Sequence, residues 1–471
     1  MTLRLHDTMT RRLREVVPLD DGHVRMYTCG PTVYAPQHIG NFRTYLFEDV
    51  LRRWLERRFE RVTHVMNLTD VEDKIIRNAG AAGRSLEAET APWIETFFED
   101  VDTLNIRRAH HYPRATEYIE QMVAIIERLG EREVTYRTEG SVYFSIAAFP
   151  SYGRLSGTRP EGLVAGASGR VDADEYEKED ARDFAVWKAV GPDEIGWDTA
   201  IGRGRPGWHI ECSAMSMALL GESFDIHCGG VDNIFPHHEN EIAQSEAATG
   251  KQFVRLWCHS EHLRIGGEKM AKSLGNFATV RDLIAEGARP SSIRYLLCAG
   301  AHYRKTVNYA PEAVAAAAES VDRLAEFVTR VRDHHPDAAG NGSGPDPRIA
   351  AARSGFEAAM DDDLNLPGAM GAVFTLIRSL NRELDAGRLS TASHGALLEL
   401  IDDVDDILGV LELVERERGG GVDAEVEELL TARAAARDSR DWAESDRLRG
   451  ALAERGIAVE DTPAGQKWKR S

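Results

Sequence analysis

The sequence predicts an α/β protein: a parallel nucleotide-binding sheet interrupted by an insertion, then a helical bundle, then a small C-terminal module. Three observations predict it. Two short apolar runs near the N-terminus bracket a helical stretch. Apolar residues recur at helical spacing through the C-terminal third. Breaks rich in glycine, proline and aspartate separate these regions.

The sheet comes first. Residues 24–28 (VRMYT) and 62–66 (VTHVM) read as buried strands, and residues 44–59 as the helix between them. Strand, glycine-containing turn, helix, strand is a βαβ unit, the building block of nucleotide-binding sheets. From about residue 114 to 204 the chain is less periodic and is expected to be a loop-rich insertion. Residues 311–331 and 349–414 carry apolar positions at helical spacing and predict the bundle. The run 333–347 (DHHPDAAGNGSGPDP) reads as an exposed linker, and Gly419, Gly420 and Gly421 set off the last segment.

Composition narrows the function. With 471 residues the chain has room for roughly three or four domains. A formal net charge of −20 excludes a general nucleic-acid coating protein, which needs a broad basic surface. One specific RNA ligand on a local basic patch remains possible. Residues 1–17 are charged and lack the apolar core of a secretory signal. No stretch approaches the roughly 18 apolar residues of a membrane span, so a cytoplasmic protein without a membrane partner is expected. Five cysteines cannot staple a chain this long, and in a reducing compartment they read as thiols or metal ligands.

Three clusters carry chemistry. The first is the turn after the first strand, Cys29 to Asn41 (CGPTVYAPQHIGN). It lies at the carboxyl end of a strand and opens onto a helix, where open α/β sheets bind ligands. Gly40 lets a nucleotide approach the backbone, and His38 and Asn41 offer donors to its phosphates beside a helix N-terminus. A plain structural loop with an incidental histidine carries about equal weight on this motif alone. The second cluster is Gly267 to Asn276 (GEKMAKSLGN), where Lys269, Lys272 and Ser273 suit a mobile loop closing over polyphosphate. A solvated lysine pair is the competing reading. It is not a Walker A loop, because GxxxxGK[ST] is absent.

The third cluster is a metal candidate. His237 and Glu241 are four apart, hence on one helical face. Cys212 comes from an earlier element and Cys29 from the nucleotide loop. Together they form a plausible zinc set. Spacing alone leaves His227, Cys228, His238 and Glu239 as competitors, and buried structural cysteines as a further reading.

These motifs resemble those of one family. His38-Ile39-Gly40-Asn41 resembles the HIGH motif of class I aminoacyl-tRNA synthetases, and Lys269-Met270-Ala271-Lys272-Ser273 resembles their KMSKS loop. A cysteine just before HIGH, with GWHIECS at 207–213 and FPHHENE at 235–241, is similar to the cysteinyl-tRNA synthetase family. The likeness runs over essentially the whole chain. It includes residues 67–74 (NLTDVEDK), 183–188 (DFAVWK), 441–443 (DWA) and 460–463 (EDTP). Two motif residues depart from the pattern: Asn41 stands for the second histidine and Ala271 for the serine. A modest effect on the loop and surviving ATP binding are expected. The segment 363–367 (DLNLP) also departs slightly from the family's DFNTP.

The resemblance implies a Rossmann-type catalytic domain over residues 1–113 and 205–255, with a connective subdomain inserted at 114–204. It implies a stem-contact region with the lysine loop at 256–310, a helical bundle at 311–418 and an anticodon-binding module at 422–471. By family position one Zn²⁺ per chain is held by Cys29, Cys212, His237 and Glu241. The cysteine backbone lies near Gly30, Thr69, Trp208 and Asp232. His38, Gly40, Asn41, Lys269, Lys272 and Ser273 handle ATP with its Mg²⁺, and His38, Asn41, Lys269 and Lys272 serve catalysis. Arg437, Trp442, Asp446 and Asp461 fall where the family meets the anticodon of tRNA(Cys).

The implied activity is ATP-dependent ligation of L-cysteine to tRNA by a monomer. A hydrophobic pocket separates cysteine from serine or alanine only roughly 10–200-fold. Zinc binds thiolate strongly and hydroxyl weakly, which makes an editing site unnecessary. Competing readings are a cysteine:amino-sugar ligase of the mycothiol pathway, lacking the tail motifs, and a catalytically dead RNA-binding paralogue, lacking the lysines and zinc positions. Pyridoxal-phosphate-linked persulfide formation through Lys74 and Lys269 is a compatible side activity that the sequence leaves open.

Overall fold

The computed structural model describes residues 2–158, 183–269, 277–334, 344–419, 424–455, 457–462 and 465–470. The chain divides into two compact units, Met1–Leu408 and Gly409–Ser471.

The first unit opens with the hairpin β1 (Arg4–Asp7) and β2 (Arg12–Glu15), then β3 (His23–Thr28), α1 (Ile39–Arg58) and β4 (Arg61–Met66). Helices α2 (Asp73–Ala82) and α3 (Leu86–Thr103) follow. The expected strands are present, but the helix starts at Ile39, five residues before the expected residue 44. His38 caps it, so the loop motif is itself the helix N-terminus.

The region expected to be loop-rich is more ordered than that. Helix α4 (Ile119–Glu131) precedes β5 (Thr135–Thr138), β6 (Ser141–Phe144), β7 (Phe184–Ala189) and β8 (Gly204–Pro206). These four strands form one antiparallel sheet in chain order. Strands of three to six residues leave too little alternation for a pattern reading to register them.

The chain then returns to the central sheet through α5 (Trp208–Leu220), β9 (Phe224–Gly230), α6 (Glu239–Thr249) and β10 (Val254–Ser260). The central sheet is wholly parallel, ordered β10-β9-β3-β4. From β3 the chain crosses to β4 on one side, and from β9 to β10 on the other. The order therefore reverses between β3 and β9, and a crevice opens at their carboxyl ends. Tyr27, Phe224, Trp257 and Met215 belong to the core that packs beneath it.

Beyond the sheet come β11 (Leu263–Ile265), β12 (Glu268–Lys269), α7 (Val280–Ala285), α8 (Pro290–Ala299) and β13 (Val307–Tyr309). The expected bundle follows as α9 (Pro311–Arg332), α10 (Pro347–Asp361), α11 (Leu366–Asp385) and α12 (Thr391–Leu408). No described helix is long and apolar enough to cross a membrane.

A buried charge cluster ties α1 to this bundle. The Asp49 carboxylate accepts from Arg53 at 2.8 Å and from Arg294 at 2.6 Å, all three buried. Arg294 also donates to the carbonyls of Leu104, Asn105 and Leu408, and Arg53 to those of Asn105 and Asp406. Burial opposes the Asp49 charge, yet the two guanidiniums hold its carboxyl below the usual range. Pairs buried this way are costly to break, about 3–5 kcal/mol when one partner is removed.

The second unit contains α13 (Leu411–Gly419), α14 (Ala424–Asp438), α15 (Trp442–Glu454) and the antiparallel pair β14 (Ile457–Thr462) and β15 (Gly465–Arg470). Its boundary at Gly409 lies upstream of the glycine run at 419–421. Val426, Leu430, Leu452 and Ile457 make its small core.

Candidate active site

The loops leaving β3 and β4 are laced together at the crevice. Thr69 N–H donates to Pro31 O at 3.0 Å and Val33 N–H to Thr69 O at 3.1 Å. Gly30 N–H donates to Asn67 Oδ1 at 2.9 Å. Gly30 has no room for a side chain: a Cβ there would sit 1.8 Å from the Asn67 carbonyl oxygen.

Next along the loop, His38 Nδ1 accepts from the Asn41 N–H at 3.1 Å. That bond makes Nε2 the protonated nitrogen of the neutral ring, a hydrogen-bond donor. Phe277 packs against the ring at 5.5 Å, edge to face. The first turn of α1 carries no acidic side chain, so its N–H groups and dipole favour an anion. His38, Gly40 and Asn41 all line a cleft of about 610 Å³. Lys269 lies in β12, paired with Arg264 of β11. Lys272 and Ser273 lie outside the described residues.

The metal candidates meet the cleft through Cys29, which lines it. Cys29 directly follows β3, Cys212 lies on α5, His237 in the turn Ile234–His238 and Glu241 on α6. One ligand atom from each lies within 4.8 Å of the others; Cys212, His237 and Glu241 are buried and Cys29 is half-buried. His237 Nε2 and Glu241 Oε1 approach to 3.1 Å, yet Glu241 Oε1 has no hydrogen-bond partner among the described residues. Two potential ligand atoms this close, without hydrogen-bond geometry between them, fit a shared cation. Burial pushes the Cys29 thiol well up, Glu241 up to about 7 and His237 down to about 3. Each shift penalises crowding or charge that a cation would relieve. The donor set of two sulfurs, one imidazole and one carboxylate suits zinc.

The structure sorts the competitors left by spacing. Glu239 accepts the backbone N–H groups of Gly153, Leu155 and Ser156, so its oxygens anchor that segment. Cys228 pairs with Cys258 on the neighbouring strand. His227 and His238 form a second group with Cys29 and Glu241. Their nitrogens also support that group: His227 Nε2 bonds Glu241 Oε2 at 3.0 Å, and His238 Nδ1 bonds His259 Nε2 at 2.8 Å. His209 Nδ1 meets His237 Nδ1 at 2.9 Å, leaving Nε2 for the cluster.

Gly30, Trp208 and Asp232 line the cleft, and Trp208 lies 4.4 Å from the His237 ring. Thr69 is buried, where Asn67 Nδ2 donates to its hydroxyl at 3.0 Å. The Thr69 hydroxyl stands beside the carboxyl group of Glu211 and favours its charged form. Glu211 lines the cleft, and burial together with Asp70 and Glu72 pushes its carboxyl well up. Pattern reading passed over Asn67 and Glu211, although both stand inside quoted motifs. It also passed over Asp73, Lys188 and Arg205, an ion-paired group on the cleft wall. Lys74 sits 5.1 Å over the Tyr34 ring.

In the second unit, Asp461 accepts from Arg433 through both carboxylate oxygens at 2.9 Å, and from Arg437 and Arg449 at 2.8 Å. The Arg437 guanidinium lies 5.7 Å from the Trp442 ring, and Trp442 is 55% exposed. Three of the four expected anticodon residues thus meet, while Asp446 lies exposed one turn along α15 from Trp442.

Comparison with known proteins bears on this arrangement. Residues 15–319 match the family model of the class I (C) tRNA synthetase catalytic domain, residues 355–412 the DALR domain, and residues 419–468 the cysteinyl-tRNA ligase anticodon binding domain. A cysteine–tRNA ligase of Solibacter usitatus is 49% identical over 470 residues, covering 100% of both chains. One of Protochlamydia amoebophila is 46% identical, over 99% of this chain and 98% of that one. Among solved structures, a Mycobacterium tuberculosis methionyl-tRNA synthetase in complex with methionyl-adenylate aligns with a TM-score of 0.58 at 16% identity. It covers 90% of this chain and 96% of its own. A putative arginyl-tRNA synthetase of Campylobacter jejuni aligns with a TM-score of 0.53 at 12% identity, covering 83% and 92%.

Proposed function

Because the chain belongs to the class I cysteine–tRNA ligase family, whose members are ATP-dependent ligases, we propose that this cleft joins L-cysteine to the 3′ end of tRNA(Cys). One observation carries the reading of the site. Cys29, one member of the Cys29, Cys212, His237 and Glu241 cluster, lines the same cleft as His38, Gly40 and Asn41 at the anion-favouring N-terminus of α1.

ATP lies along the α1 N-terminus with its Mg²⁺. The His38 Nε2–H and the Asn41 side chain donate to its phosphates, and Lys269 and Lys272 bring positive charge. Gly30, Thr69, Trp208 and Asp232 orient the amino acid so that its carboxylate faces the α-phosphorus. The carboxylate attacks, pyrophosphate leaves and cysteinyl-adenylate forms. A ribose hydroxyl of the terminal adenosine of tRNA then attacks the acyl carbon, and AMP leaves. Zinc held by Cys29, Cys212, His237 and Glu241 supplies a soft ligand position that selects a thiolate over a hydroxyl. No protein nucleophile is needed.

Residues 114–204 act as the connective subdomain and 256–310 as the stem-contact region. Residues 422–471 read the anticodon, with Trp442 as a stacking surface backed by Arg437. The enzyme works as a cytoplasmic monomer. The cysteine:amino-sugar ligase reading is not favoured, since the chain matches an anticodon-binding model. The test is cysteine-dependent ATP–pyrophosphate exchange with serine as control, followed by charging of a cysteine tRNA transcript. Exchange with charging is the expected result. Charging with no preference for cysteine over serine overturns the metal-selection reading, and no exchange overturns the activity.

A further inference from the structure

The site as described accounts for the thiol of cysteine and for ATP, but cysteine also carries an α-ammonium group. A charge moved from water into an enclosed cleft needs a counter-charge and hydrogen-bond acceptors. Five carboxylates line the cleft: Glu72, Asp73, Glu211, Asp232 and Glu261. Asp73 is taken by Arg205 and Lys188. Glu72 caps α2 by accepting the Lys74 N–H at 2.7 Å, and Glu261 accepts the His262 N–H. Asp232 is only partly buried.

Glu211 differs from all of them. It is 2% exposed, and its Oε2 has no hydrogen-bond partner among the described residues. Beside it Gly30 N–H donates to Asn67 Oδ1 and Asn67 Nδ2–H donates to Thr69 Oγ1, which fixes the loop wall next to the carboxyl group. An unpartnered carboxylate oxygen offers acceptor capacity, and an ammonium brings three donors. Glu211 also directly precedes Cys212 on α5. One helix turn therefore presents a carboxylate and a metal-binding thiol to a substrate whose amine and thiol sit on adjacent carbons.

We infer that Glu211, buried in the cleft wall with an unpartnered oxygen, binds the α-ammonium of substrate cysteine and so makes the site specific for 1,2-aminothiols. The inference rests on the cysteine-binding reading of this cleft, and it is read by binding and not by turnover.

The experiment is calorimetric titration of the zinc-loaded full chain with L-cysteine and with 3-mercaptopropionate, which has the same skeleton without the amine. Wild type is expected to prefer cysteine. Glu211→Gln keeps the shape but loses the charge. It should weaken cysteine about 10- to 100-fold and leave 3-mercaptopropionate and bound zinc unchanged. Glu211→Asp, which keeps the charge, should recover part of the loss. Equal weakening of both thiols, or unchanged cysteine binding in Glu211→Gln, overturns the inference. So does a cysteine-specific loss confined to Asp232→Asn. Should Glu211→Gln not fold, wild type decides: no preference for the amine-bearing thiol overturns it. Absent pyrophosphate exchange by wild type is a separate result and refutes the proposed reaction alone.

Discussion

Replacing Gly30 by alanine tests how tightly the two loops of the crevice must meet. The added Cβ would lie 1.8 Å from the Asn67 carbonyl oxygen and 2.9 Å from both the Asn67 carbonyl carbon and Met66 Cγ. Ordinary contact begins near 3.4 Å, so the loops after β3 and β4 must part by about 1.6 Å. Neither neighbour is the free end of a flexible chain: one is backbone, the other a buried side chain. Parting them stretches three hydrogen bonds, from Gly30 to Asn67, Thr69 to Pro31 and Val33 to Thr69. At about 1 kcal/mol each, the fold loses roughly 3 kcal/mol. Catalysis loses more, because a misplacement of about 1 Å at the reacting centre costs around 10²-fold. The assay is cysteine-dependent ATP–pyrophosphate exchange beside a thermal melt. The expected result is a folded protein with a lowered melting temperature and exchange down about 100-fold. Exchange within about threefold of wild type at an unchanged melting temperature would refute the reasoning.

Other perturbations probe separate parts. Cys212→Ser should lower bound zinc and raise the Michaelis constant for cysteine, and unchanged values of both would sink the ligand assignment. Asp461→Asn withdraws the shared acceptor of Arg433, Arg437 and Arg449, and should impair tRNA charging while sparing pyrophosphate exchange; full charging would show the arginine cluster to be dispensable. His64 is buried, and desolvation, reinforced by Arg52, holds it down to about 3 against an ordinary 6.5. Between those values the unfolded chain binds the extra proton, so stability is lost as pH falls below 6.5. A denaturant midpoint that stays level from about pH 7 to pH 5 contradicts this.

The sequence pointed to residues that the structure brings together more readily than to the architecture around them. Cys29, Cys212, His237 and Glu241 are legible because a cysteine before HIGH and the two later motifs carry family position. Their spacing alone does not separate them from His227 and His238, and the structure leaves those two in a second group around the same Glu241. Which nitrogen faces which oxygen is tertiary information. The early start of α1 was hidden for a different reason: its residues are buried over most of its length, so no apolar stripe marks where it begins. The antiparallel sheet was hidden because β6 and β7 pair across nearly forty intervening residues. Glu211 was overlooked because a glutamate between apolar helix positions looks like any solvated charge. Only its burial and its orphan oxygen set it apart.

The Asp49 cluster makes α1 a lever. The helix has 20 residues, so it is about 30 Å long. Asp49 and Arg53 are its fulcrum, clamped by Arg294 to the carbonyls that end α3 and α12. His38 stands at the tip, about 16 Å from that fulcrum. A tilt of only about 5° at the clamp swings the tip by roughly 1.4 Å, comparable to the misplacement that costs about two orders of magnitude in rate. A residue outside the cleft lining thus sets the aim of the proposed nucleotide site, and selection for stability and selection for turnover would act on the same carboxylate.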